Sequence, residues 1–336
     1  MNPHFFELLD ALPRARLALL PTPLSPASEL GVAIGLPGLW IKHDELIGFG
    51  FGGNKVRGLE LLLADARAQG ADVLVTGAGA QSNHVRATAA AAAFAGMDAH
   101  AVYWGEPPAA VEGNLLLTRM LGATTTFTHS NDRSQLDGAI AAVAADLHQA
   151  GRRPYSIPRG GACALGVLGH ALAARELLAQ CRALGLFPTR VLMAVGSGGT
   201  LAGWLLGSAA LGAPWQLEGV TVSRPADEAR ARVLELSTQA AALLGQPPLV
   251  QAQDVRVHDG FIGPGYGIPS QHGQAAMALA ARQQAVFFDP TYTGKAFAGL
   301  RALCADPAWA GSGAVVFIHS GGEPALFTGQ GQGLAP

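Results

Sequence analysis

Lys55 lies between a glycine-rich approach, Gly48-Phe49-Gly50-Phe51-Gly52-Gly53-Asn54, and an apolar-periodic helix carrying Leu59, Leu61, Leu62 and Leu63. Glycines let a large planar molecule come close to the backbone. Lysine is the side chain that forms a stable Schiff base with an aldehyde. Lys55 is therefore a candidate covalent anchor for an aldehyde cofactor, the plain alternative being a solvated charge at a helix start.

Three further clusters carry chemistry. Gly196-Ser197-Gly198-Gly199-Thr200 follows a strand and opens a helix, so backbone N–H groups and two hydroxyls can converge on a phosphate monoester. The alternative there is a tight βα turn in which glycine serves packing. Gln81-Ser82-Asn83-His84 occupies a second strand-to-helix turn, where hydroxyl, amide and unpaired N–H groups can receive a carboxylate, or where Ser82 and Asn83 simply cap the helix. Beside a Schiff-base lysine and a phosphate loop, the carboxylate reading points to an amino-acid substrate. Tyr266 and Tyr292 could pass a proton at a cleft rim or sit in the core with their hydroxyls satisfied. His84 and His319 are open to acid–base work or to packing.

Two glycine patterns are decoys. Gly48, Gly50 and Gly53 formally match G-x-G-x-x-G, and Gly77 and Gly79 nearly do. A dinucleotide fold wants an acidic residue at the far end of the next strand, whereas Asp72 and Asp98 precede theirs. No H-E-x-x-H or C-x-x-C occurs, so no metal site is expected.

The elements that must position these residues alternate. Leu39 to Lys42 reads as a strand, then a helix from Lys55 to about Gln69, the strand Val73 to Thr76, an alanine-rich helix to about Ala95, and a strand from His100 to Trp104. A βα unit is expected over Gly113 to Thr128 and a helix from Ser134 to Ala150. Pro154 to Gly161 reads as a return crossing between lobes. There follow a helix from Ala164 to Leu184, the strand Arg190 to Val195 and a helix after the glycine loop. Asp254 to Gly273 reads as an irregular functional loop, Phe287 to Tyr292 as a unit placing Tyr292 at a strand end, then a helix from Gly294 and the strand Ala314 to Ile318. Such alternation signifies parallel sheets with crossover helices, an α/β class.

With 336 residues the chain is most simply two lobes. A net charge of −2 without basic runs leaves no footprint for nucleic acid or an anionic membrane. Three scattered cysteines suit reduced, cytoplasmic thiols, the N-terminus does not read as a signal peptide, and the alanine-rich stretch Ala87 to Gly96 is too short to span a bilayer.

Eight ordered blocks resemble the fold type II pyridoxal-phosphate enzymes, within them the family of D-cysteine desulfhydrase and 1-aminocyclopropane-1-carboxylate deaminase. The blocks run from Pro21-Thr22-Pro23-Leu24 through Trp40-Ile41-Lys42, Phe51 to Lys55, Gln81 to His84, Gly196 to Thr200, Gly263 to Pro269 and Tyr292-Thr293-Gly294-Lys295 to His319-Ser320-Gly321-Gly322. The resemblance implies a tryptophan synthase β-like architecture: two open, twisted, mostly parallel-sheet domains with pyridoxal 5′-phosphate in the cleft. The large cofactor domain would comprise residues 1–52 and 161–336, and the small substrate-side domain residues 53–160. Lys55 would anchor the cofactor and move the Cα proton. Asn54 would hold the ring hydroxyl, and Gly196, Ser197, Gly198, Gly199 and Thr200 the phosphate. Ser82 and Asn83, flanked by Gln81 and His84, would grip the substrate carboxylate, with Tyr266 and Tyr292 facing the reacting carbons. A homodimer is also implied. His43, Glu45 and Gly58 depart from the family's usual Arg, Asp and Lys.

Two positions separate the branches. The deaminase carries glutamate at the position of Thr293 and leucine at that of Ser320, so both residues here, set against the cofactor ring, resemble the desulfhydrase side. The expected reaction is β-elimination, converting D-cysteine to pyruvate, hydrogen sulfide and ammonia. Rivals are ring opening of aminocyclopropane carboxylate, loss of sulfite from cysteate, and a non-catalytic cofactor carrier.

Overall fold

The computed structural model describes residues 2–311 and 313–329. Ten strands are present among them: β1 (Leu24–Pro26), β2 (Leu39–His43), β3 (Val73–Ala78), β4 (Asp98–Tyr103), β5 (Thr124–Phe127), β6 (Pro154–Ser156), β7 (Pro188–Val195), β8 (Gln216–Thr221), β9 (Arg256–His258) and β10 (Ala314–His319). They form a six-stranded sheet, β1-β2-β10-β7-β8-β9, and a four-stranded sheet, β5-β4-β3-β6. Every pairing is parallel except that of β1 with β2. Register is continuous at the centres, from Val73 opposite Asp98 to Ala78 opposite Tyr103, and from Val315 opposite Leu39 to His319 opposite His43.

Helices cover both faces, which is why the central strands read as unbroken apolar runs. Successive side chains of a strand point to opposite faces. Val191, Met193 and Val195 of β7 pack with the helices Ala164–Leu184, Gly199–Leu211 and Ala226–Leu243, whereas Leu192 joins Phe288, Phe297 and Phe317 on the other side. In the small sheet Leu74 faces the helices Lys55–Ala68 and Asn83–Ala95, and Val73 and Val75 face the helix Leu136–Gln149.

The helix Ala164–Leu184 lies between the anchor helix and the helix that opens at the glycine loop, and it touches both by backbone. A Cβ on Gly58 would stand 2.7 Å from the Gly166 carbonyl oxygen, and one on Gly169 2.1 Å from that of Arg57. On the other side, a Cβ on Gly203 would lie 2.3 Å from the Val167 carbonyl and one on Gly207 2.5 Å from that of Ala171. Gly58, a departure from the family pattern, is thus fixed by packing here.

Four expectations need correction. Gly113 to Thr128 runs helix then strand, Gly113–Met120 followed by β5. Pro154 to Gly161 first completes the small sheet with β6, because the φ fixed by Pro154 suits an edge strand. The glycine-rich stretch from Asp254 to Gly273 is not wholly irregular: it includes β9 and the first turn of Gln271–Gln284, capped by Ser270. Phe287 to Tyr292 is no strand; Tyr292 is the N-cap of the helix Thr293–Leu303. Sequence analysis also assigns no element to β8 or to Ala226–Leu243. The strand opens on Gln216-Leu217-Glu218, a polar pattern explained by Glu218, which is buried between Arg190 at 2.6 Å and His258 at 2.9 Å.

Candidate active site

Lys55 opens the helix Lys55–Ala68, and what precedes it is held by backbone bonds. Gly53 N–H donates to the Asp44 carbonyl at 3.0 Å and Asn54 N–H to that of Ser320 at 3.1 Å. Gly52 has φ +68°, and a Cβ there would lie 1.9 Å from the Glu45 carbonyl, so only glycine suits this turn. One turn on, the Arg57 guanidinium grips Asp44 in bidentate fashion, at 2.9 and 2.7 Å, and reaches Glu176 at 3.0 Å. Lys42 completes this buried network through Glu176, the Thr22 carbonyl and Gln180. The anchor is thereby fixed at its base while its amine stays out of the ion pairs.

The Lys55 amine donates to the Gly160 carbonyl at 3.1 Å, and among the described residues no carboxylate pairs with it. Burial lowers its pKa to about 8. About a tenth of such amines are unprotonated at pH 7, against a negligible share of ordinary lysines. The rate at which cofactor-free protein takes up pyridoxal phosphate, followed by visible absorbance, is therefore expected to rise about tenfold from pH 6 to 7 and to level off above about pH 8. A rate flat across this range would show that the free amine is not what reacts.

Around Lys55 a cleft of about 360 Å³ opens at the C-terminal ends of both sheets. It brings together Asn54, Ser82, Asn83, His84, Tyr266 and Tyr292, and on its far wall Gly196, Ser197, Gly198, Thr200 and Ser320. Gly198 has φ +93° and leads into the helix Gly199–Leu211, whose N-terminal N–H groups are an anion site. The Asn54 side-chain amide donates to the Thr200 hydroxyl at 2.9 Å, joining anchor turn and phosphate loop. Ser82, buried on the cleft wall, caps Asn83–Ala95, accepting from Val85 N–H at 3.3 Å. The hydroxyls of Tyr266 and Tyr292 are hydrogen-bonded to one another. Burial raises the pKa of both, and most strongly that of Tyr292.

Not every expected residue reaches the cleft. The Gln81 side chain is bonded to the Glu112 carbonyl at 3.0 Å and Asn114 N–H at 2.8 Å, and lines a neighbouring cavity instead. Thr293 is fully buried off the wall, its hydroxyl donating to Asp289 Oδ1 at 2.8 Å while accepting from Asp289 N–H. Gly199 is buried under the loop against Ala162.

Both histidines are neutral. The Thr76 hydroxyl gives its proton to the Ile157 carbonyl, so it accepts from His84 Nε2, 3.1 Å away, leaving Nδ1 a bare acceptor. Burial takes the His84 pKa down to about 3, which removes it as a general acid near neutrality. His319 lies off the cleft: Nε2 donates to the Phe287 carbonyl and Nδ1 accepts from Gly321 N–H.

Sequence analysis missed Trp104, Arg133, Arg159, Gly160 and Arg224, all on the cleft wall. The signal for two of them lay in Pro158-Arg159-Gly160-Gly161, where the prolines and glycines were informative about chain direction and hid a charged residue beside the anchor. Among the described residues no group of three or more His, Cys, Asp or Glu could hold a metal ion, and no helix is long and apolar enough to cross a membrane.

This geometry has relatives. The sequence profile of the family described as "Pyridoxal-phosphate dependent enzyme" matches residues 15–321. The chain is 39% identical over 327 residues to a D-cysteine desulfhydrase of Salmonella choleraesuis, covering 95% of this chain and 97% of that protein. It is 37% identical to a putative 1-aminocyclopropane-1-carboxylate deaminase of Pyrococcus abyssi, covering 97% of each. A crystal structure of an ACC deaminase homologue superposes with a TM-score of 0.90 at 34% identity over 99% of both chains. A parallel-rich α/β fold, a buried lysine at a glycine turn and a helix-borne anion loop all agree with these matches: the chain belongs to the pyridoxal-phosphate dependent enzymes.

Proposed function

We propose that the protein is a β-eliminating lyase that converts D-cysteine to pyruvate, hydrogen sulfide and ammonia. One observation carries the reading: a carboxylate-free, enclosed Lys55 amine shares a single cleft with an anion loop and a paired-tyrosine wall. The residues present fit pyridoxal phosphate. A glycine cradle with a helix terminus suits its phosphate, and Gly196, where a Cβ would stand 3.0 Å from the Tyr292 ring, leaves the cleft floor open to a planar group. When bound, the cofactor supplies the electron sink that stabilises negative charge at the substrate Cα.

The chain supplies the rest. Gly196, Ser197, Gly198 and Thr200 on the cleft wall, with the N–H of Gly199 at the helix start, would hold the phosphate, Thr200 through a hydroxyl already tied to Asn54. Ser82 and Asn83 hold the substrate carboxylate at the opposite helix start, which fixes the Cα–H bond relative to Lys55. The Lys55 amine, its pKa near operating pH, takes that proton. Tyr292, kept protonated by burial and by Tyr266, can hold or return a proton at the leaving side. Residues 53–160 serve as the substrate-side domain and residues 1–52 with 161–336 as the cofactor domain, the working form being a cytoplasmic homodimer.

Ser82→Ala should raise KM and lower kcat while visible absorbance persists, and it should cost about 1 kcal/mol of stability through the lost cap. Thr200→Val should instead weaken cofactor retention during dialysis. Exchange of the two phenotypes would reverse the placement of phosphate and carboxylate.

A second reading, aminocyclopropane carboxylate deamination, is favoured by the names of two relatives. Ser320, which lines the cleft where the deaminase has leucine, argues against it, whereas Thr293 lies off the wall and takes no part in the choice. Assay of both substrates separates them: D-cysteine turnover should exceed 2-oxobutyrate formation by roughly a hundredfold in kcat/KM, about 2.7 kcal/mol of transition-state discrimination. Efficient ring opening would replace the lyase assignment.

A further inference from the structure

Asn114 lies behind the cleft wall, yet its side chain joins two of the turns that build the cleft. It is buried in the first turn of the helix Gly113–Met120. Its Oδ1 accepts from Arg86 Nε at 2.9 Å, and its Nδ2 donates to the Gln81 carbonyl at 3.1 Å and to Asn83 Oδ1 at 2.9 Å. Gln81 closes the arrangement from the other side. Its Oε1 accepts from Asn114 N–H at 2.8 Å, and its Nε2 donates to the Glu112 carbonyl at 3.0 Å. That contact needs Gly113, where a Cβ would stand 2.6 Å from Gln81 Oε1.

The direction of each bond is dictated by chemistry. A guanidinium can only donate, so Asn114 must present Oδ1 to Arg86. A carbonyl can only accept, so Nδ2 faces Gln81, and its second hydrogen reaches Asn83, which must answer with Oδ1. Asn83 lines the cleft, whereas Asn114 does not. The Asn83 amide thus has its oxygen turned into the protein, and its Nδ2, without a hydrogen-bond partner among the described residues, is the end left for the cleft. Arg86 is itself held by the carbonyls of Gly50 and Gly52, in the turn ahead of Lys55. One string of bonds therefore runs from the anchor turn through Arg86 and Asn114 to Asn83.

We infer that Asn114 is a positioning residue that locks Asn83 as a hydrogen-bond donor, so that the cleft takes an α-carboxylate and discriminates against the corresponding carboxamide. This rests on the placement of the substrate carboxylate at Ser82 and Asn83 in the reading above. Both carboxylate oxygens accept, and charge strengthens their bonds to Nδ2 and to the N–H groups of the helix start, whereas a carboxamide would turn its own NH2 toward donors. An Asn83 amide turned over would aim a carbonyl oxygen at the carboxylate and replace attraction by repulsion. Gln81, bonded away from the cleft, serves the site by holding Asn114.

Titration of the holoenzyme with D-alanine and D-alaninamide, which lack a β-leaving group, tests this through the change in visible absorbance. Wild type should bind the acid roughly tenfold or more tighter than the amide. Asn114→Asp keeps the acceptor for Arg86 but cannot donate, so the Asn83 amide must turn. The preference should fall by roughly tenfold, with cofactor absorbance and Tm retained, and in turnover KM should rise more than kcat falls. A double-mutant cycle separates this from a charge acting through space: in an Asn83→Ala background, Asn114→Asp should change the preference by less than about twofold. Asn114→Ser, uncharged, should shift it in the same direction and serves if the aspartate variant does not fold. A fall of equal size without Asn83, or a preference unchanged by either substitution at Asn114, overturns the relay while leaving the carboxylate placement intact. Equal affinity of wild type for acid and amide removes that placement, and the relay with it.

Discussion

Replacement of Lys55 by alanine should lower pyruvate formation by roughly four orders of magnitude or more, because in the proposed mechanism one side chain both anchors the cofactor and moves the Cα proton. Borohydride reduction of the yellow wild-type protein, followed by peptide mapping, should place the cofactor mass on Lys55 alone. The structure makes the competing sites poor nucleophiles. The Lys42 ammonium is spent on Glu176, the Thr22 carbonyl and Gln180. Burial lowers the Lys295 pKa to about 8, as it does that of Lys55, but its amine is fully buried off the cleft wall and donates to the Ile262 and Gly265 carbonyls at 2.7 and 2.9 Å. Label recovered from either would remove Lys55 from the centre of the reaction.

Tyr292→Phe is expected to lower kcat by roughly 10² to 10³ with cofactor absorbance retained, in the range of a lost positioned proton carrier. The hydroxyl pair explains why the effect should be larger at Tyr292 than at Tyr266. Burial opposes ionisation of both, but Arg133 and Arg159 counter that effect at Tyr266 and only Arg159 does so at Tyr292. Tyr266 is the partner that tunes; Tyr292, rooted at a helix start by its N–H bond to Asp289 at 3.0 Å, is the partner that is placed. An unchanged kcat in the Tyr292→Phe enzyme would confine the pair to a packing role.

That the Lys55 turn, the Gly196–Thr200 loop and the Ser82 turn meet in one cleft was legible in the sequence because each opens a helix, where the residue types demanded by the backbone coincide with those that suit a ligand. The alternation of β3, β4 and β7 with their helices was legible for the same reason. β8 was not, since its polar opening is explained only by Arg190 and His258, distant in sequence. Thr293 misled in the opposite direction. Its neighbour Tyr292 enters the cleft, but a helix turns successive residues by about 100°, and Thr293 instead closes the Asp289 turn that holds the helix start. Arg133 and Arg159 were invisible because no local pattern distinguishes a cleft arginine from a surface one.

The backbone contacts on the two sides of Ala164–Leu184 act as a ruler. The anchor helix and the phosphate helix are spaced by three main chains touching at Gly58, Gly169, Gly203 and Gly207, with no side-chain layer between them to change rotamer or compress. The reach from Lys55 to the loop at Gly198 is then a dimension of the fold, cut to a molecule with an aldehyde at one end and a phosphate at the other. A methyl group added at any of the four marks would lengthen the ruler at one joint, and the fit would be lost at a cofactor that none of these glycines touches.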